Sequence, residues 1–181
     1  MKSKKSKSRG LIITYWGAGK GKTTATIGLA VRASGYDKKV RIVQFVKGNW
    51  VSGEEKALKD SPNISIKKVG RGFVGILNDK KSLKKHIEAA RRGLLEARSS
   101  YKDRGLYLLI LDEILGAIKG HLITQDEVLQ LIKQKPSGLH LVLTGRPKYE
   151  KIIALSDLVT QFSETKHPYN CGLKAILGLD Y

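Results

Sequence analysis

Lys22 and Thr23 follow a run of glycines and open a stretch that reads as a helix, an order of residue types suited to holding a polyphosphate. The run is Gly17-Ala18-Gly19-Lys20-Gly21-Lys22-Thr23-Thr24. Glycines admit positive φ and let backbone N–H groups crowd an anion. A helix N-terminus adds unpaired donors and a partial positive charge. Lys22 supplies a point charge to phosphate oxygens, and the Thr23 hydroxyl is a ligand for Mg²⁺. The usual spacing, G-x-x-x-x-G-K-[ST], puts its first glycine where this chain has Trp16. Gly17 and Gly19 provide for the tight turn instead.

A second chemical group ends the apolar run Leu108-Leu109-Ile110-Leu111, where Asp112 and Glu113 follow. Carboxylates that emerge from a buried strand hold a metal ion or its water. Any buried strand can end in acids, so the pair gains meaning only beside the glycine loop. Arg146, after Thr144-Gly145, either reaches the nucleotide or stands as a surface arginine. Arg32 approaches a sugar or the sheet edge on the same reasoning, and Cys171 reads as a small packing residue.

The elements that position these residues follow from apolar spacing. Leu11–Tyr15, Val40–Val46, Ile64–Val69, Leu106–Leu111, Leu139–Leu143 and Leu158–Phe162 are short and rich in leucine or β-branched residues, as buried strands are. A helix is expected from Lys22 to about Ser34, with Gly35 as its stop. Leu83, Ile87, Ala90, Leu94, Ala97 and Tyr101 step by four and three, one helical stripe, with Lys84, Lys85, Arg91, Arg92 and Arg98 largely on other faces. Thr124 and Glu127 form a capping box for a helix reaching about Lys135, and a further helix is expected around Tyr149–Leu155. Strands alternating with helices predict an α/β fold, a three-layer sandwich with a mostly parallel sheet of the P-loop, RecA-like kind. Ligands then bind beyond the carboxyl ends of the strands. Gly17–Thr24, Asp112-Glu113 and Thr144-Gly145-Arg146 should therefore gather along one rim.

At 181 residues the chain suits one domain, on a prior of about 100–200 residues each. Residues 1–9 read as a disordered basic arm and 10–181 as the folded unit. The six-residue apolar run Leu106–Leu111 is far short of the ~20 residues that span a bilayer. The polar, basic start lacks the apolar stretch of a secretory signal. A single cysteine makes neither an internal disulfide nor a structural zinc site. A cytoplasmic chain is expected. The net charge of +18, with a pI near 10.0, points to nucleic acid, anionic ligands or acidic protein partners, or else to a well-solvated surface.

Taken together, Gly17–Thr24, Val43-Gln44-Phe45-Val46-Lys47-Gly48, Leu111-Asp112-Glu113, Thr144-Gly145-Arg146 and the tail from Lys166 to Tyr181 resemble the P-loop family of ATP:corrinoid adenosyltransferases. That tail carries Gly172, Ala175, Gly178 and the closing Leu179-Asp180-Tyr181 in the family's order. The match is collinear from about Gly10 to Tyr181. The resemblance implies transfer of the 5′-deoxyadenosyl group of ATP to Co(I) of a reduced corrinoid, with release of triphosphate, in adenosylcobalamin synthesis or salvage. It implies that Gly19–Thr24 cradle the triphosphate, that Thr23 and Glu113, with Asp112 beside them, contact Mg²⁺ (or Mn²⁺), and that ATP sits reversed relative to other P-loop proteins. In the family an aromatic pair spaced Phe-x-Trp displaces the corrinoid's lower axial ligand. Here Phe73 is present and Gly75 stands where the tryptophan would be. Either Phe73 suffices, or Trp50 contributes, or the substrate is an incomplete corrinoid. His167 contacts corrinoid or phosphate, or is a structural histidine. The resemblance also implies a homodimer, and the basic surface suits an acidic electron donor of the flavodoxin kind.

Two rival classes share the glycine loop. A RecA-like nucleic-acid-binding ATPase fits the charge, but no aromatic-studded basic patch for stacking bases is evident. An inactive nucleotide-binding partner would bind ATP without turnover.

Overall fold

Leucine-rich and β-branched strands are buried on both faces only where helices cover both sides of their sheet. The computed structural model of the chain describes residues 9–48, 51–72 and 82–179. The apolar runs become β1 (Ile12–Trp16), β2 (Lys39–Gln44), β3 (Ile64–Lys68), β4 (Leu106–Asp112), β5 (His140–Gly145) and β6 (Leu158–Gln161). They form one sheet in the order β3-β2-β4-β5-β1-β6, and every pairing is parallel.

Alternate residues of the central strands serve two cores. Leu109 and Leu111 of β4 and Leu141 and Leu143 of β5 join one cluster, while Leu108, Ile110 and Val142 join the other. The first is covered by α3 (Leu83–Ser100), α4 (Ile114–Lys119), α5 (Gln125–Lys133) and Ile152 of α6 (Glu150–Ile153). The second is covered by α1 (Lys22–Ser34) through Ala30 and Ala33. The result is an α/β three-layer sandwich with an entirely parallel sheet. No helix among the described residues is long and apolar enough to cross a membrane.

On α3 the expected stripe faces inward at Ala90, Leu94 and Ala97, and Lys84, Lys85, Arg91, Arg92 and Arg98 are exposed. Leu83 departs from it and is half exposed in the first turn, whereas His86, Ala89 and Gly93 widen the buried face. Gly93 is there for space: a Cβ on it would stand 2.7 Å from the Phe45 ring, which follows β2. The Thr124–Glu127 capping box of α5 forms in both directions, with Glu127 N–H donating to Thr124 Oγ1 at 3.1 Å and Thr124 N–H to Glu127 Oε2 at 2.7 Å.

Several local features differ from the sequence expectation. The short helices α2 (Gly53–Ala57) and α4 span too few residues to display a helical period. Gly35 does end α1, as expected, in a right-handed conformation; the unexpected feature is Asp37 (φ +55°), which takes the left-handed turn. Such a turn suits a short polar side chain. Cys171 is exposed rather than packed. Arg9 is tied to the fold by an ion pair with Asp157 across the start of β1. Residues 1–8 of the expected arm lie outside the described residues, as do Trp50, Phe73, Gly75, Asp180 and Tyr181.

Replacing Gly93 by valine should overpack the α3–Phe45 contact and cost about 1–3 kcal/mol. A urea midpoint equal to that of the native protein would show that α3 does not lie this close to β2.

Candidate functional site

The glycine loop spans the gap between β1 and α1, and its neighbours explain its glycines. A Cβ on Gly17 would lie 2.2 Å from the Phe162 carbonyl oxygen, and one on Gly19 would lie 2.6 Å from that of Ser163. Gly17 (φ +122°) and Gly21 (φ +106°) also hold left-handed conformations. Trp16 can stand where the usual pattern has glycine because the close approach falls one residue later. The Gly17 N–H donates to the Arg146 carbonyl (3.1 Å) and the Gly19 N–H to the Phe162 carbonyl (2.8 Å). Those two amides are thus engaged within the fold. The N–H groups suited to an anion are those of the first turn of α1, which an α-helix leaves without internal partners.

Lys22 begins α1 and is buried, at 6% exposure. Its Nζ donates to the Gly17 and Gly19 carbonyls, each at 2.7 Å. Burial lowers its pKa; the charge of Glu113 pulls it back up and that of Arg146 pushes it down again. Arg146, exposed beyond β5, is therefore close enough to act on the lysine electrostatically.

Asp112 closes β4 at 1% exposure. Thr23 Oγ1 donates to its two oxygens at 3.0 and 3.3 Å, Thr144 Oγ1 donates to Oδ1 at 2.9 Å, and Gln44 Nε2 lies 3.4 Å from Oδ2. Burial raises its pKa against the opposing pull of these hydrogen bonds. Glu113 follows in a left-handed conformation (φ +61°) as the cap of α4, and its N–H donates to Thr144 Oγ1 at 2.8 Å. The Thr144 hydroxyl thus accepts from one acidic residue's backbone and donates to the other's carboxylate. Burial and the neighbouring Asp112 raise the Glu113 carboxyl's pKa, while Lys22 and Arg146 lower it. Room for the Glu113 side chain depends on Gly116, where a Cβ would come within 2.8 Å of Oε2.

Gly17–Thr24, Asp112, Glu113 and Arg146 are therefore brought to one rim, as the strand order requires. Thr144 stands on this rim as expected and bonds to both acidic residues, and Gln44, buried with its Oε1 unpartnered, completes the set without having been singled out for a role. Both stand at the carboxyl ends of apolar runs and within the segments that carry the family resemblance. His167 lies between β6 and the 3₁₀ turn at Pro168–Cys171 and is partly buried. Phe73 lies outside the described residues.

A hard divalent cation takes oxygen ligands, several of them from phosphate and water. The Thr23 hydroxyl and the Asp112 carboxylate, with Glu113 adjacent, are oxygen donors of this kind. Among the described residues no group of three or more His, Cys, Asp or Glu gathers. The donor set thus fits a cation shared with a bound polyphosphate better than one caged by protein alone.

A glycine loop between β1 and α1, with an acidic strand end reached across β5, defines a P-loop fold of RecA-like build. The fold is similar to that of a KaiC-like protein from Pyrococcus horikoshii, with a TM-score of 0.50 over 87% of this chain and 75% of the other; at 15% identity the likeness is one of fold. The chain belongs to the ATP:corrinoid adenosyltransferase BtuR/CobO/CobP family, whose model matches residues 8–181. Among its relatives, the corrinoid adenosyltransferase of Escherichia coli K12 is 34% identical over 96% of this chain and 86% of its own length. Those of Salmonella typhimurium (31%; 96% and 86%) and Pseudomonas aeruginosa (33%; 96% and 84%) match comparably.

The raised Asp112 pKa means that the folded state prefers the protonated carboxyl. That preference stabilises the fold below the ordinary carboxylate range and is lost as pH rises through the raised value. Asp112→Asn should therefore be more stable than the native protein at neutral pH, with the difference closing in acid. Urea unfolding at both pH values reads this, and a variant less stable at neutral pH would refute it.

Proposed function

We propose that the chain transfers the 5′-deoxyadenosyl group of ATP to Co(I) of a reduced corrinoid and releases inorganic triphosphate. The observation that carries this reading is the loop ending in Lys22 and Thr23 and facing buried Asp112, in a chain of this family. The reaction balances as an alkylation: the Co(I) electron pair attacks C5′, the C5′–O bond breaks, and its electron pair departs with the triphosphate. Co(I) is nucleophilic enough that no side chain need act as base. The protein's work is to place the cobalt in line with C5′ and to offset charge on the leaving group. Such positioning is worth about 7–11 kcal/mol.

Each residue then has a task. Lys22 exchanges the Gly17 and Gly19 carbonyls for triphosphate oxygens, and the first turn of α1 adds N–H donors. Ala18, Lys20, Gly21 and Thr24 shape and line that cradle, and Arg146 adds positive charge at its mouth. Thr23, Asp112 and Glu113 would hold Mg²⁺, or Mn²⁺ in its place. When bound, that ion supplies further positive charge against the leaving group. ATP lies with C5′ rather than its terminal phosphate toward the corrinoid. Phe73 and His167 are the residues we assign to the corrinoid side; with Gly75 in place of a second aromatic, Phe73 acts without that partner.

The surface supports two partners, and the setting we propose for them is the cytoplasm. β6 is an edge strand with all four residues exposed, and Leu173, Ile176, Leu177 and Leu179 of the tail are exposed as well, which favours a homodimer. The exposed basic face of α3 suits an acidic, flavodoxin-like donor that reduces Co(II). Coupled reduction by such a donor should then slow as salt is added; indifference to ionic strength removes this partner.

ATP, Mg²⁺ and chemically reduced corrinoid should give the absorbance change of a forming Co–C bond, with triphosphate as the phosphorus product. ADP and phosphate instead would overturn the reading. Lys22→Ala should lower turnover by about 10²–10³-fold. Glu113→Gln should impair metal-dependent turnover more than corrinoid binding, whereas equal loss of both would make Glu113 a structural residue.

A further inference from the structure

We propose that Phe162 positions Lys22 for the triphosphate, an inference that rests on reading the loop as a triphosphate site. Phe162 directly follows β6 and is half buried. Its backbone is held at both ends: its N–H donates to the Trp16 carbonyl and its carbonyl accepts the Gly19 N–H, each at 2.8 Å. The Lys22 Nζ stands 6.0 Å from the centre of its ring. The Tyr15 ring meets it edge-on, 5.5 Å between centres and 62° between planes. A Cβ built on Gly21 would touch it at 3.6 Å. One side chain therefore lies along the wall of the loop with the ammonium that begins the helix over its ring, at the outer reach of a cation–π contact.

The chemistry favours an aromatic ring at this place. An ammonium has three N–H donors, and the Gly17 and Gly19 carbonyls take two of them. A ring face attracts the charge without accepting a conventional hydrogen bond. It holds Nζ in place yet leaves its donors to be exchanged for phosphate oxygens. A carboxylate here would neutralise the lysine, and an aliphatic side chain would fill the space without attracting it. The edge contact with Tyr15 fixes the tilt of the ring. Phe162 touches no substrate in this scheme; it acts through Lys22.

The test is the affinity for inorganic triphosphate, measured by titration calorimetry. Phe162→Leu should bind about tenfold more weakly, and Phe162→Tyr, which keeps the ring face, should recover to within about twofold of native. Phenylalanines carrying one, two and three fluorines, placed at position 162 alone, keep the ring's shape and withdraw electron density from its face; affinity should fall stepwise along the series. That series decides the matter even where Phe162→Leu fails to fold. A flat fluorine series, or Phe162→Leu with native affinity, overturns the assignment while leaving the triphosphate site intact. A native protein that does not bind triphosphate overturns both.

Discussion

A carboxylate removed from water must find hydrogen-bond donors, and Asp112 finds them on three other elements of the fold. Thr23 comes from the start of α1, Thr144 from the end of β5 and Gln44 from the end of β2. Each donor offsets part of a desolvation cost that an isolated buried charge would not survive. The same bonds place the glycine loop, the acidic strand end and the turn after β5 in one arrangement. Removing any donor leaves a charged group underpaired, so position and charge at this rim are set together.

The parallel sheet makes that arrangement available. Its strands are buried on both faces, and their carboxyl ends all emerge on the rim where α1 begins. β5 separates the glycine loop's strand from β4, which leaves Thr144 between the loop and the acids. Beyond β1, the exit of β6 presses on the loop so closely that only glycine fits at positions 17 and 19. The loop's shape therefore comes as much from Phe162 and Ser163 as from its own residues. Lys22, lying on the Gly17 and Gly19 carbonyls, has its charge satisfied within the loop and must give up those bonds to grip a phosphate.

Much of this was legible in the residues. All six strands and the long helices α1, α3 and α5 announce themselves through apolar runs, spacing and the Thr124–Glu127 box, since those signals are local. The glycine loop and Asp112-Glu113 are legible for the same reason, and parallel topology then requires them to meet. What was not legible depends on distant approach. Nothing near Thr144 in the sequence says that its hydroxyl links the Asp112 carboxylate to the Glu113 backbone N–H, and nothing near Phe162 says that its ring faces Lys22. The left-handed turn at Glu113 was hidden as well, because α4, which it caps, is too short to show a period. Gly35 is legible as the stop of α1, whereas the left-handed conformation at Asp37 follows from the hydrogen bonds of the next turn and has no local signal.

The most direct measurement is the fate of the bridging oxygen between C5′ and the α-phosphorus. ATP labelled there with ¹⁸O, incubated with the protein, Mg²⁺ and reduced corrinoid, is followed by mass spectrometry of the products. Label found wholly in inorganic triphosphate is the expected result, because the C5′–O bond breaks and the loop retains the entire leaving group. Label kept on the nucleoside, or carried in ADP, contradicts it.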